Sequence, residues 1–254
     1  MELNISIAWI LAVLLLSLRF GVVVYLAPNF AVSKIPPRIL IMLVVGLSAG
    51  LLAVAKVQLI DIPNSTALIR AALSELLLGA ILAFGLVASF AAFLLGGRIV
   101  DFQMGFGIAS LLDPATHAEA PVIGTILNLL AVMVFYAMDL HHYLIRGLAF
   151  SIEMIPPGTW LGDFDVAVVI AHFGAMFVYA IAVVVPVILS IFLLDVAMAV
   201  MARTMPQVNV FIVSLPLKIF TGLTVVALSL HTLPPLMHHL FEDMFLFWQA
   251  ILTK

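Results

Sequence analysis

The chain of 254 residues contains no cysteine, which excludes a disulfide framework, thiol catalysis, cysteine-ligated zinc and iron–sulfur clusters together. Charge is scarce as well. Lys and Arg number 10 and Asp and Glu 13, so 9% of residues are charged, where a soluble domain carries roughly 25%. With 65% apolar residues and a mean hydropathy of +1.32, too few polar side chains remain to cover a core, which argues against a soluble globular enzyme. The ten basic residues are scattered singly and the net charge is -3, so no basic stripe is offered to nucleic acid. The opening MELNISIAWI lacks the basic start of a cleavable signal peptide, and the run that continues to Leu26 reads as a retained helix.

What is present is apolar and long. Ile5 to Leu26, Ile39 to Ala55, Leu76 to Leu95, Val122 to Met138 and Val166 to Leu194 read as membrane-length helices. A sixth, Val210 to Leu230, is interrupted by Pro216 and Lys218. Barrel strands would alternate polar and apolar residues, and these runs do not, so the expected fold is an all-α integral membrane protein. The first connection holds Lys34 and Arg38 and the second holds Asp61 without a base, which weakly places the first in the cytoplasm.

Several segments break the rules for simple spans. Pro186 lies inside a run, and Pro206, Pro216, Pro234 and Pro235 crowd the last quarter, where each removes a backbone hydrogen bond and favours a kink. Arg19, Glu75, Asp195 and Lys218 sit within or beside apolar runs, where a charge needs a partner or water. The chain therefore reads as kinked helices built to pack in a larger assembly. Gly46 and Gly50 form a G-x-x-x-G pattern that permits close helix contact.

No catalytic constellation, cofactor motif or metal site is expected. There is no H-E-x-x-H, G-x-S-x-G or P-loop pattern. Asp139, His141 and His142, and the pair His238 and His239, are the candidates for metal or proton-relay chemistry. Neighbours on a helix point about 100° apart, so interfacial histidines are the simpler expectation.

Two stretches are more informative. Gly96 to Pro121, GGRIVDFQMGFGIASLLDPATHAEAP, sets Gly105 and Gly107 around Phe106 and ends its apolar part at Asp113 and Pro114. It is too broken to span, and a non-helical apolar loop between membrane helices is tolerated only where it is buried in protein or lines a cavity. That leaves a pore constriction or a loop that merely packs. Arg203 to Lys218, RTMPQVNVFIVSLPLK, places the amides Gln207 and Asn209 beside Pro206, where they either satisfy local backbone or reach neighbouring subunits.

At these stretches the sequence resembles the FliR family of flagellar export-gate proteins, whose counterparts serve virulence type III secretion. The likeness lies in the turn of Gln103, Met104 and Gly105, in Asp113 and Pro114, and in Pro206, Gln207, Asn209, Phe211 and Pro216. The opening loop, with Pro28, Lys34, Pro36, Pro37 and Arg38, is similar too. The resemblance implies a non-enzymatic subunit that joins FliP and FliQ beside FlhB in the bacterial inner membrane, within the flagellar basal body. It implies a FliP-like part at 1–160 and a FliQ-like helical hairpin at 161–254. By position it also implies a pore plug at about 106–117, with Phe106, Ile108, Leu111 and Leu112 as its apolar face and Gly107, Asp113, Pro114 and His117 within it. Unfolded flagellar substrates would displace that plug, and membrane lipid would surround part of the assembly. The alternatives are a virulence-type gate subunit or, from the charges near broken helices, a small secondary transporter.

Overall fold

The computed structural model describes residues 6–27, 36–55, 57, 64–106, 121–159, 162, 164–205, 207 and 209–253. Among them every regular element is a helix: α1 (Ile7–Leu26), α2 (Pro37–Val54), α3 (Ser65–Met104), α4 (Val122–Ala137), α5 (Leu140–Met154), α6 (Val166–Thr204), α7 (Val210–Ser229) and α8 (Leu233–Leu252). Helices α1, α2, α3, α6 and α7 are each long and apolar enough to cross a membrane. The 16 residues of α4 reach that length only with α5, and that pair is bent by 74° at its break.

Local sequence explains most helix starts. Ser6 caps α1 by accepting from the Trp9 N–H, and Asn209 caps α7 by accepting from the Ile212 N–H. Pro37 opens α2, and Pro234 and Pro235 fall in the first turn of α8, where a missing N–H costs nothing. The last two prolines thus begin a helix, where the sequence suggested a kink. Pro186 and Pro216 do lie inside α6 and α7, which run continuously past them.

Two helices exceed the runs that announced them. The run Leu76 to Leu95 is the middle of a 40-residue helix, and Val166 to Leu194 the first part of a 39-residue one. At 1.5 Å per residue each is about 60 Å long, twice the hydrocarbon thickness of a bilayer.

The chain divides into two compact units that interleave along the sequence. The first comprises 1–89, 135–173 and 241–254. Its core holds Leu16, Phe20, Leu82, Leu86, Phe135, Leu148, Phe241 and Trp248. The Trp248 indole donates to the Leu82 carbonyl at 3.0 Å, and its ring lies over Gly147, where a Cβ would come within 2.7 Å. The amphipathic α8 supplies Phe241, Met244, Phe247, Trp248, Ile251 and Leu252 at helical spacing.

The second unit comprises 90–134 and 174–240. Within it Gly96 lies so close to α6 that a Cβ would sit 2.6 Å from the Ala180 carbonyl oxygen, and the buried side chain of Met104 fills the space over Gly222 of α7. Helix α7 buries Gly222 alone among its residues, while Phe211, Ile212, Phe220 and Leu228 stay exposed.

Candidate functional site: a pinned loop base

Gly96 and Gly97 head the stretch that the sequence reads as too broken to span. They lie inside α3, which continues to Met104. The helix then stops in a hydrogen-bonded cap: Phe106 N–H donates to the Asp101 carbonyl at 3.0 Å and Gly105 N–H to the Phe102 carbonyl at 3.1 Å. The Phe106 bond requires the residue before it to turn left-handed, and Gly105 does so at φ 87° without the Cβ penalty. Gln103 and Met104 are therefore the last helical residues and Gly105 the turn. The remaining plug positions, Gly107, Ile108, Leu111, Leu112, Asp113, Pro114 and His117, lie outside the described residues.

The chain is described again at Pro121, where α4 begins, and it returns to the place it left. The buried Asp101 carboxylate accepts from the N–H of Ile123 at 3.0 Å through one oxygen and from that of Gly124 at 3.2 Å through the other. These N–H groups belong to the first turn of α4, have no partner within their own helix and carry its positive end, so an anion there both bonds and neutralises them. Gly97 and Gly124 let the two backbones touch, since a Cβ on Gly97 would fall on the Gly124 backbone. One carboxylate and two glycines thus clamp both ends of 107–120. Asp101 was not among the residues singled out from sequence; its partners are 22 and 23 positions away, and no local pattern reports them.

The second signature is placed differently. Asn209 caps α7 within the chain, so one of the two roles left open for it is realised. Gln207 is exposed and makes no side-chain hydrogen bond among the described residues. Phe211 is 67% exposed, Pro216 lies inside α7, and Pro206 falls outside the described residues. Among the described residues nothing lies within 4 Å of a Cβ added at Gly46 or Gly50, so they bring no described helix close.

The four charges in apolar surroundings pair with one another. Arg19 and Glu75 are buried together, and Lys218 Nζ lies 2.7 Å from Asp195. These pairs use the charges that suggested a transporter.

A family model described as bacterial export proteins, family 1, matches residues 10–244. The flagellar biosynthetic protein FliR of Bacillus subtilis is 42% identical over 154 residues, 58% of this chain and 59% of its own length, so the match spans about three fifths of that relative. FliR of Aquifex aeolicus is 26% identical over 238 residues, covering 93% of this chain and 92% of its own. The surface presentation of antigens protein SpaR of Shigella sonnei is 26% identical over 159 residues, 63% of this chain and 62% of its own. With the family model matched over nearly its whole length, this membrane protein belongs to the bacterial export proteins of family 1, the FliR family.

Proposed function

We propose that the chain is a non-enzymatic subunit of a flagellar protein-export gate in the bacterial inner membrane, at the flagellar basal body. In this reading it assembles with FliP and FliQ beside FlhB, with 1–160 taking a FliP-like and 161–254 a FliQ-like place. Residues 106–117 plug the pore until an unfolded flagellar substrate arrives.

The pinned loop base is the observation that carries the mechanism. A segment that blocks a pore and yields to substrate needs fixed ends. Asp101, Gly97, Gly124 and Gly105 supply the fixed ends. The segment between them carries Ile108, Leu111 and Leu112, apolar residues of the kind that exclude water and ions from a narrow channel.

Exposed apolar surface supports the assembly. Met42 of α2 and Phe211 and Phe220 of α7 are 74%, 67% and 71% exposed, and helices about 60 Å long cannot be covered by hydrocarbon alone. Higher identity to a flagellar FliR than to SpaR favours the flagellar over the virulence-type gate.

Affinity purification in mild detergent followed by native mass spectrometry tests the assembly. The expected species contains one copy of this chain with several copies each of two other small membrane proteins. A chain that purifies alone under conditions that preserve known membrane complexes contradicts it.

A further inference from the structure

Helices α4 and α5 together have the length and composition of one span, yet they are bent by 74° where they meet. The residue at the break is Asp139, the one non-glycine residue with positive φ among those described, at φ 57° and ψ 23°. A left-handed residue with a side chain costs of order 1–3 kcal/mol unless its surroundings hold it there. Asp139 precedes α5 as its cap, but its carboxylate makes no capping hydrogen bond, the usual role of an aspartate in that place.

The carboxylate turns instead to two imidazoles. Its Oδ1 lies 3.6 Å from His142 Nδ1, and one donor atom from each of Asp139, His141 and His142 lies within 4.8 Å of the other two. Three positions apart, Asp139 and His142 lie on one face, and His141 stands beside them in the first turn of α5. His141 and His142 remain neighbours within α5, and it is their side-chain conformations that bring a donor of each to within 4.8 Å of the carboxylate.

His141 adds an independent sign. Its ring makes no hydrogen bond among the described residues, and its Nδ1 is buried without a partner. The Tyr136 and His142 rings flank it at centroid distances of 5.3 and 4.1 Å.

We propose that Asp139, His141 and His142 bind one borderline transition-metal cation of the Zn2+ class, which holds Asp139 in the left-handed turn that opens α5. Two imidazoles and one carboxylate suit Zn2+, Co2+, Ni2+ or Cu2+ and not the all-oxygen preference of Mg2+ or Ca2+. Three protein ligands leave a fourth position for water or an outside group. Asp139 and His142 are exposed enough to rotate, so the donors can close to bonds of about 2.0–2.2 Å. His238, His239 and Glu242 form a second group of close donors on α8. Those three make other interactions, and the proposal does not include them.

The test uses the full chain, purified without a histidine tag, stripped with chelator and held in detergent. Co2+ is followed by its visible absorption and Zn2+ by calorimetry, in a His238→Gln/His239→Gln background that silences the second group. The expected result is saturable uptake of one Co2+ per chain, displaced by Zn2+, and weakened at least tenfold by His141→Gln/His142→Gln and by Asp139→Asn at unchanged helical content. Where the double variant fails to fold, the exposed single changes Asp139→Asn and His142→Gln give the same readout. No saturable uptake, or equal uptake by a folded variant, overturns the proposal.

Discussion

Arg19 of α1 and Glu75 of α3, 56 positions apart, form a fully buried two-point ion pair, with Nε 2.6 Å from Oε2 and Nη2 3.1 Å from Oε1. Their remaining capacity is used. Arg19 also donates to the carbonyls of Ser151 at 2.8 Å and Ile155 at 2.9 Å and to the Ser151 hydroxyl, and Glu75 accepts from the Gly158 N–H. Gly79 permits the approach, since a Cβ there would lie 2.5 Å from the Arg19 carbonyl oxygen. A charge cluster with every partner made ties α1, α3, the end of α5 and the residues after it into one unit.

Removing one member leaves the other as a lone buried charge. Glu75→Ala is expected to lower the stability of the isolated chain in detergent by about 3–5 kcal/mol, whereas replacing both partners by apolar residues of similar volume costs far less. Thermal unfolding of the two variants checks this. Equal losses would mean that the pair is not desolvated.

Asp101→Ala leaves the Ile123 and Gly124 N–H groups without their acceptor in a buried place, which costs about 1–3 kcal/mol. Asp101→Asn keeps one acceptor oxygen and loses the charge opposite the start of α4, so its cost is smaller. Unfolding curves should rank wild type above Asn above Ala. An unchanged Ala variant would remove the clamp.

Glycines separate contacts within the chain from contacts with other chains. Gly97→Val places a side chain on the Gly124 backbone and is expected to cost at least about 1–3 kcal/mol in the isolated chain. A Cβ at Gly46 or Gly50 meets nothing among the described residues, so with Gly46→Val or Gly50→Val the stability should stay within about 0.5 kcal/mol. Loss of partners on co-purification from these last two variants would locate a subunit contact on α2, and normal recovery would leave the G-x-x-x-G pattern without a role in assembly.

The two amides of the second signature should behave unequally. Asn209→Leu removes the α7 cap and costs the isolated chain about 1 kcal/mol. Gln207→Leu, at an exposed side chain without a hydrogen-bond partner among the described residues, should leave the isolated chain within about 0.5 kcal/mol of wild type while lowering the yield of co-purified subunits. Recovery of partners at normal yield contradicts a subunit-facing role for Gln207.

Continuous apolar composition made five spanning helices and the first half of the bent pair legible, because a run that must face lipid or protein on all sides leaves its mark in every residue. Helix α8 was not legible that way. Its buried residues Met237, Leu240, Phe241, Met244, Trp248 and Ile251 recur every three or four positions between polar ones, a pattern found by period and not by run length. Helix α5 hid behind Asp139 for a similar reason. The family signatures located the broken segment, and the turn at Gly105 could be read from its glycine. The pairing of Arg19 with Glu75 and of Asp101 with the start of α4 could not, since a buried charge announces the need for a partner but not its address.

The central claim, an apolar loop on a fixed base that closes a channel, is tested most directly by ion leak through the assembled complex in a membrane. Replacing residues 107–112 with a shorter Gly-Ser segment leaves Asp101, Gly105 and Gly124 in place. The variant is expected to assemble normally and to conduct ions where the wild-type complex is tight. A variant complex that assembles and stays as tight as wild type contradicts the claim.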